Sequence, residues 1–284
     1  MHELSIVILT YNSTKQIFDC LKSIFSFNDV GDKLEVIVVD NHSDECPEMF
    51  ETISLLYGNK VTLIDSGNNR GYGSGNNIGI RLSRSNIVVV MNPDVRITKP
   101  IFKKIIDCFN EEKTGMVGVN FEDGSTPYYF KRGHSTLIRN LFSKYYIWKK
   151  KFVSEDMFLS GSFLAFNKKA FWEAGGFDEN IFLYSEEADI ANRISAKGYQ
   201  VVWKPDIYVF HMAHGREYNP KLDLIRLESG RYYESKYNID SEKEYRLTVQ
   251  TIKIKMIISA LLLNKTKTQY FKRRLKTLED FYRD

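Results

Sequence analysis

Three groups of carboxylate side chains stand where a ligand or a reacting proton could be handled. Asp40 closes one apolar run, Asp94 closes a second run through Asn92-Pro93-Asp94, and Glu186-Glu187-Ala188-Asp189 forms an acidic cluster. A carboxylate at a strand end can accept from a base imide or a ribose hydroxyl, and hard oxygen ligands suit Mg²⁺ or Mn²⁺. Clustered carboxylates can raise the pKa of a general base. The structural alternatives are a cap or turn at Asp40, an Asn-Pro-Asp turn, and an acidic first turn of a helix.

Glycines and a histidine form two further patterns. Gly71, Gly73, Gly75 and Gly79 match neither the GxGxxG spacing nor a P-loop, which disfavours a dinucleotide cofactor. They indicate either close backbone approach to a phosphate or a flexible turn followed by small-residue helix packing. His211 follows an apolar run and could ligate a metal or donate to phosphate, although strand histidines are often structural and His214 competes with it.

Strand and helix patterns alternate over the first 120 residues, which predicts an α/β fold with parallel strands. The polar residues that end the strands should then collect at one edge of the sheet, where such sheets bind ligands. Beyond residue 121 the alternation weakens. The predicted strands cover 5–9, 34–39, 61–64, 86–91, 116–119 and 200–203, and the predicted helices start at 13 or 14, 76, 100 and 190.

The composition limits the kinds of partner that the protein can bind and the cellular compartment in which it is expected. The 284 residues carry a net charge of only +4, too mild and too mixed to indicate nucleic acid. Three separated cysteines without a CxxC pattern fit a reducing compartment. The sequence has no apolar run long enough to span a bilayer, so we expect a cytoplasmic protein or one attached peripherally to the inner membrane surface.

The last 21 residues form a basic tail. Residues 264–284 hold seven basic and three acidic side chains. Phe271, Leu275, Leu278 and Tyr282 fall at helical spacing, with Tyr270 and Phe281 beside them. This pattern predicts either an interfacial helix on anionic lipid or a helix that packs its stripe on the core or on a second subunit.

The motifs, in their order, resemble family 2 of the nucleotide-sugar glycosyltransferases, with the look of bacterial rhamnosyltransferase-like enzymes of surface polysaccharide synthesis. The resemblance covers about residues 4–215. It rests on Ser5-Ile-Val-Ile-Leu-Thr-Tyr-Asn12, Val38-Val-Asp-Asn-His-Ser43, Asn69-Arg-Gly-Tyr-Gly-Ser-Gly-Asn-Asn-Ile-Gly79, Met91-Asn-Pro-Asp-Val95, Gly161-Ser-Phe-Leu164, Gly175-Gly-Phe-Asp178, the 186–189 cluster and His211.

The resemblance implies a GT-A fold, with a Rossmann-like, mostly parallel central sheet flanked by helices and a C-terminal helical extension. Residues 1–120 would form the nucleotide-sugar-binding half, 121–215 the acceptor-binding and catalytic half of the same domain, and 216–284 the basic extension.

The resemblance also implies roles for single residues. Glu187 would be the general base, with Glu186 in reserve and Asp189 supporting, and Asp40 would accept from the N3–H of a pyrimidine. Asp94 and His211 would hold Mg²⁺ or Mn²⁺ on the diphosphate. The other donor-binding residues would be Thr10, Tyr11, Asn12, Asn69, Arg70, Gly71, Asn77 and Asn92, and the acceptor-binding residues Gly161, Ser162 and Asp178.

The implied activity is inverting transfer of a sugar from a UDP or dTDP donor to a saccharide or lipid-linked saccharide acceptor, in bacterial surface polysaccharide or O-antigen assembly. Two features depart from the family pattern: Asn92 stands where many relatives have a carboxylate, and the acidic pair is Glu-Glu.

Two alternative functions remain. A nucleotidyltransferase would want a glycine-rich basic loop after the first strand, where Asn12-Ser-Thr-Lys15 has no glycine. A sugar-binding module without catalysis is the other.

Overall fold

The structure is a computed structural model that describes residues 2–131, 142, 145–212 and 218–283. His214, the competing histidine, lies outside the described residues. The strands are β1 (Leu4–Thr10), β2 (Leu34–Asp40), β3 (Val61–Asp65), β4 (Ile87–Met91), β5 (Val95–Arg96), β6 (Thr114–Phe121), β7 (Tyr128–Phe130), β8 (Met157–Leu159), β9 (Phe163–Asn167) and β10 (Gln200–His211).

The strands form one large sheet with helices on both faces. Its order is β3-β2-β1-β4-β9-β6-β10-β5, and β7 pairs with β8 in a separate ribbon. Every residue of β1 is buried, as its continuous apolar run predicts. Leu4, Ile6 and Ile8 belong to the core on one face of the sheet, whereas Val7 and Leu9 belong to the core on the other. The predicted α/β class is therefore confirmed.

The first three strands end level with one another. Parallel pairing aligns Thr10 with Asp40 and Asp40 with Asp65, and β4 pairs with β1 in the same direction. The polar strand ends thus lie side by side at the carboxyl edge, as predicted.

The sheet is mostly parallel, as expected, but one central strand that the sequence patterns do not predict runs in the opposite direction. β9 runs antiparallel to both of its neighbours, β4 and β6, with Ala165 opposite Val89 and Val117. Because β9 runs backwards, the turn that precedes it, rather than the one that follows it, lies at the carboxyl edge of β4. Strands from both sides of residue 120 share this sheet, while the proposed unit boundaries stay a prediction.

The helices differ from the predicted ones mainly at their starts. The glycine-rich segment was expected to be a turn up to Gly75, yet the helix begins at Tyr72, and the helix expected from Ile190 begins at Glu186. A helix at residues 46–57 was not predicted. The helices are α1 (Thr14–Ser26), α2 (Cys46–Tyr57), α3 (Tyr72–Leu82), α4 (Phe102–Asp107), α5 (Lys168–Glu173), α6 (Glu186–Ala196), α7 (Pro220–Lys236), α8 (Ser241–Leu261) and α9 (Lys265–Phe281).

The C-terminal extension is helical, as predicted, and its aromatic stripe faces protein. Leu278 is 3% exposed, and the Tyr282 ring stacks on Tyr245 of α8 with centroids 4.3 Å apart. Arg231 of α7 covers the Phe281 ring at 4.3 Å. These contacts match the alternative in which α9 packs its stripe on the protein. Within the described ranges, none of the helices has the length and apolar character to cross a bilayer.

Candidate functional site

Asp40 lies at the end of β2 with its carboxylate fully enclosed. The residue is 0% exposed, and its carboxylate accepts from Thr10 Oγ1 at 2.8 Å, from the Ser43 amide at 2.6 Å and from Ser43 Oγ at 2.8 Å. The Ser43 hydroxyl in turn accepts from the Asn12 amide at 2.8 Å. These contacts fix the ends of β1 and β2 to each other, whereas the expected contact of Asp40 with a base stays a prediction.

Asn41 connects this strand end to the start of α3. Its side-chain amide donates to Asn69 Oδ1 at 2.9 Å and to the Gly71 carbonyl at 3.1 Å. Gly71 has φ of 94°, a region that favours glycine, and a Cβ there would stand 2.2 Å from the Phe182 carbonyl oxygen. Gly71 is therefore required where the chain before α3 meets the chain before α6.

Tyr72 lies at the centre of the assembled site. Its amide donates to the Phe182 carbonyl at 2.8 Å, and its hydroxyl donates to the Gly161 carbonyl at 2.8 Å. Burial raises the pKa of Tyr72 well above its ordinary value, and the carboxyl groups of Glu187, Glu186 and Asp94 add to the rise. Tyr72 thus binds the turn at residues 161–162, where Gly161 packs against Glu187 and the Ser162 carbonyl accepts from the Asn92 amide. The acidic cluster and the Asn-Pro-Asp motif therefore contact the same turn.

The glycines of α3 serve packing, which corrects the expectation of a turn. A Cβ on Gly75 would stand 2.4 Å from Leu9 Cδ1, and a Cβ on Gly79 would stand 2.4 Å from Val7 Cγ1. Asn77, expected at the donor, is 4% exposed. Its amide donates to the Phe177 carbonyl at 2.9 Å and its oxygen accepts from the Phe177 amide at 3.0 Å. It thus anchors α3, and its donor contact stays a prediction.

The acidic cluster forms the first turn of α6. Two consecutive residues before it, Tyr184 and Ser185, have φ of 72° and 74°. Such left-handed backbone is costly for residues other than glycine and often occurs at functional sites. The turn points Glu186 into the protein, where it is 2% exposed, and leaves Glu187 partly exposed.

The two glutamates are held in different protonation environments. Burial, reinforced by the charge of Glu187, raises the pKa of Glu186 well above its ordinary value, and Glu186 Oε2 has no hydrogen-bond partner among the described residues. Burial also raises the pKa of Glu187, opposed by the backbone amides of Glu187 and Gly161. Glu186 is therefore the more buried member of the pair and the one with the more strongly raised pKa, and Glu187 is the more accessible member.

The absence of a side chain at Gly161 leaves room for the Glu187 carboxylate. A Cβ at position 161 would stand 2.2 Å from Glu187 Oε1. The turn before β9 thus packs its backbone directly against the carboxylate. Ser162 follows, and its carbonyl accepts from the Asn92 amide at 3.0 Å. This turn joins the acidic cluster to the Asn-Pro-Asp motif.

Asp94 and His211 form a pair of suitable metal ligands. Asp94 Oδ1 lies 3.6 Å from His211 Nε2, and the Ser162 hydroxyl lies 3.4 Å from the same nitrogen. The Ser125 hydroxyl lies 3.2 Å from His211 Nδ1 and orients the ring. One carboxylate and one imidazole at this spacing fit Mn²⁺ or Mg²⁺ that takes its other ligands from phosphate oxygens.

A second cluster, formed by Asp40, Cys46 and Asp65, fits a cation poorly. One ligand atom from each lies within 4.8 Å of the others. However, burial and the negative charge of Asp40 raise the pKa of the Cys46 thiol to about 12, and the thiol is hydrogen-bonded to Asp40. Metals bind the thiolate, and the Asp40 oxygens already serve Thr10 and Ser43. The expected metal-ligand role of Asp94 and His211 stays a prediction.

Asp178 and Asp189 are joined by one lysine from the C-terminal extension. Lys236 Nζ lies 2.6 Å from Asp178 Oδ2 and 2.6 Å from Asp189 Oδ1. Lys236 and other hydrogen bonds offset the effect of burial and hold the pKa of Asp178 well below its ordinary value. Arg193 on α6 binds the other oxygen of Asp189. The supporting role expected of Asp189 and the acceptor contact expected of Asp178 both stay predictions.

Three further residues predicted to bind the donor lie at the protein surface. Tyr11 is 51% exposed, Asn12 adopts φ of 50°, and Arg70 reaches Glu179 at 3.5 Å. Lys236 is a contributor that no sequence motif contains. Ser43 and Tyr72 stand inside two of the family motifs but are not among the predicted site residues.

Comparison with known proteins identifies the family. The profile described as Glycosyl transferase family 2 matches residues 5–175. The chain is 27% identical over 242 residues to the low-salt glycan biosynthesis hexosyltransferase Agl10 of Haloferax volcanii, covering 81% of this chain and 71% of that protein. It is 28% identical over 229 residues to the N-acetylglucosaminyl-diphospho-decaprenol L-rhamnosyltransferase of Mycobacterium tuberculosis, covering 70% of this chain and 73% of that protein.

Solved structures share the fold. The mannosyltransferase PcManGT from Pyrobaculum calidifontis, in complex with GDP-Man and Mn²⁺, has a TM-score of 0.67 at 17% identity, over 98% of this chain and 86% of that one. S. aureus TarS 1-349 in complex with UDP has a TM-score of 0.54 at 16% identity, over 99% of this chain and 91% of that one. The predicted GT-A fold is confirmed. Since the family profile spans more than half of the sequence, the chain belongs to glycosyl transferase family 2 and is a glycosyltransferase.

Proposed function

We propose that this glycosyltransferase transfers a hexosyl or deoxyhexosyl group, with inversion, from a UDP or dTDP donor to a saccharide hydroxyl. The observation that carries the proposal is the arrangement around Tyr72. There Glu187, a partly exposed carboxyl of raised pKa, packs against Gly161, and the hydroxyl of the next residue, Ser162, lies 3.4 Å from His211 Nε2 of the Asp94–His211 pair. A base and a cation site on the two sides of one space are what direct displacement at an anomeric carbon requires.

Glu187 acts as the general base in this scheme. It takes the proton from the acceptor hydroxyl as the oxygen attacks the anomeric carbon, on the face opposite the departing diphosphate. A pKa raised by burial brings the carboxylate closer to the basicity that proton abstraction near neutral pH needs. Glu186, neutral behind it, adds no second negative charge.

The leaving group is stabilised at the other side of the site. A divalent cation, when bound by Asp94 and His211, would supply positive charge to the leaving diphosphate. The Ser125 hydroxyl fixes the His211 ring, so this part of the site is arranged before substrate arrives. PcManGT was solved with Mn²⁺ and a nucleotide sugar, which supports the choice of cation.

Two relatives support the choice of acceptor. One is named as acting in glycan biosynthesis and the other as an L-rhamnosyltransferase on a diphospho-decaprenol-linked sugar. We therefore propose a saccharide or lipid-linked saccharide acceptor in surface polysaccharide or O-antigen assembly, at the inner membrane face. The contact expected of Asp40 with a pyrimidine belongs to the same proposal, as do those of the other predicted donor and acceptor residues.

A matched pair of isosteric variants tests the base. We expect Glu187→Gln to reduce turnover about 10²–10⁴-fold while donor binding, measured by calorimetry with Mn²⁺, is retained. Glu186→Gln should keep turnover near that of the wild type, because the amide replaces a carboxyl that is already neutral. Equal losses in both variants would remove the distinction between the two glutamates.

A donor screen tests the reaction class. Thermal-shift measurements with UDP-sugars and dTDP-sugars, with and without Mn²⁺, identify the donor. With the best donor and no acceptor, a transferase slowly releases free sugar and nucleoside diphosphate. Release of neither product would favour the binding module, whereas formation of a nucleotide sugar from a sugar phosphate and a nucleoside triphosphate would favour the nucleotidyltransferase.

A further inference from the structure

The turn between α8 and α9 carries an exposed aliphatic surface. Leu261, Leu262 and Leu263 are 78%, 74% and 86% exposed, and the last turns of α8 add exposed isoleucines. We call this surface the hairpin tip. It consists of Ile254, Ile257, Ile258, Leu261, Leu262 and Leu263.

The backbone conformation of Leu263 indicates that the leucines of the hairpin tip have a binding function. Leu263 adopts φ of 53°, a left-handed conformation that favours glycine or asparagine and is unusual for a bulky side chain. A leucine in this conformation gains nothing from packing when its side chain is 86% exposed. Strained residues of this kind often mark a binding function.

The charge around the hairpin tip has a single sign. Residues 245–278 contain no aspartate or glutamate, although the chain as a whole has nearly equal numbers of acidic and basic residues. Lys253 precedes the tip, and Lys265 and Lys267 follow it, all exposed. The segment holds nine basic residues, namely Arg246, Lys253, Lys255, Lys265, Lys267, Lys272, Arg273, Arg274 and Lys276.

We propose that the hairpin tip inserts into the headgroup region of an anionic phospholipid bilayer, with the flanking lysines on the lipid phosphates. Exposed aliphatic side chains beside basic residues are the composition that interfacial segments use. A second copy of this chain is a poor occupant, because two such faces would bring like charges together. The contact surface is thus the turn, and not the aromatic stripe of α9, which packs on α7 and α8.

Vesicle co-sedimentation tests this surface without any substrate, so its outcome is separate from that of the proposed transfer reaction. The full chain should bind vesicles of phosphatidylcholine mixed with phosphatidylglycerol and bind pure phosphatidylcholine weakly. Leu261→Ser/Leu262→Ser/Leu263→Ser should weaken binding at least about 100-fold. Lys265→Gln/Lys267→Gln should weaken it by up to about 30-fold at low salt, and less at high salt.

The control is a second pair of exposed leucines. Leu55 and Leu56 of α2 are 85% and 60% exposed, and the nearby charges of that helix are acidic. Leu55→Ser/Leu56→Ser should leave vesicle binding unchanged. The proposal is overturned if the triple variant sediments with anionic vesicles like the wild type, or if the wild type does not bind them. It is also overturned if the tip leucines instead support a dimer, seen by sedimentation velocity, that does not bind vesicles.

Discussion

Gly161→Ala gives the sharpest test of how the base is positioned. The new Cβ would stand 2.2 Å from Glu187 Oε1, which is 1.2 Å closer than an ordinary contact of 3.4 Å allows. The carboxylate is the mobile end of a partly exposed side chain, so it can withdraw at little cost in folding stability. A displacement of about 1 Å costs on the order of 10²-fold in rate, equivalent to about 2.7 kcal/mol of activation free energy.

Steady-state kinetics and thermal melting separate the effect of Gly161→Ala on the reaction rate from its effect on folding stability. We expect kcat to fall about 10²-fold in Gly161→Ala, with the donor KM and the Tm close to those of the wild type. Gly230→Ala is the matched control, since a Cβ there meets nothing within 4 Å and the position lies inside α7. It should raise stability slightly, by about 0.5–1 kcal/mol, and leave kcat unchanged.

A double variant tests the cause of the loss. Glu187→Asp shortens the side chain by one methylene and makes room for the new methyl group. Combined with Gly161→Ala, it should cost less than the product of the two single losses, since the pair is in contact. A folded Gly161→Ala enzyme with wild-type kcat would refute the assignment of Glu187 as the positioned base.

The remaining predictions concern protonation, the lysine bridge and the metal. Glu186 has a folded-state pKa raised above its unfolded value, so its contribution to stability is present at acidic pH and is lost as pH rises toward the folded pKa. Glu186→Gln should therefore raise Tm more at pH 8 than at pH 5, and equal shifts would contradict the buried neutral state. Lys236→Met removes the cation that two buried or half-buried carboxylates share and should destabilise the protein by about 2–3 kcal/mol in urea unfolding, against less than about 0.5 kcal/mol for the exposed Lys169→Met. Asp94→Asn should weaken Mn²⁺ binding in the presence of nucleoside diphosphate at least about tenfold by calorimetry, and unchanged affinity would move the metal elsewhere.

The parallel strands could be predicted from the sequence, because each one is marked by a continuous apolar run within its own few residues. Continuous β-branched runs such as Ser5–Leu9 can be stable only as strands covered on both faces. The start of α3 at Tyr72 is predicted four residues late because glycines have a low intrinsic preference for helices, and here the packing of α3 against β1 decides. The start of α6 at Glu186 is also predicted four residues late, although an acidic first turn of a helix is one of the alternatives for that cluster.

The direction of β9 and the bridge made by Lys236 could not be predicted. A short apolar run such as Phe163–Phe166 has the same appearance whichever way the strand points. Lys236 binds Asp178 and Asp189 from far along the chain, and nothing near Lys236 in the sequence signals that pairing. The motif residues of the site were found through family resemblance, whereas their mutual arrangement depends on these long-range contacts.

The reversed central strand also affects the order in which the molecule can assemble. Ala165 must meet Val89 and Val117, both distant in sequence, before the turn at Gly161 can reach its position. Contacts of high sequence separation close slowly, because the loop entropy is lost before the contact is gained. Until β9 has taken its place in the sheet, the backbone of Gly161 cannot pack against the Glu187 carboxylate. Catalytic competence should therefore be the last property to return on refolding, after most of the α/β signal in circular dichroism has recovered.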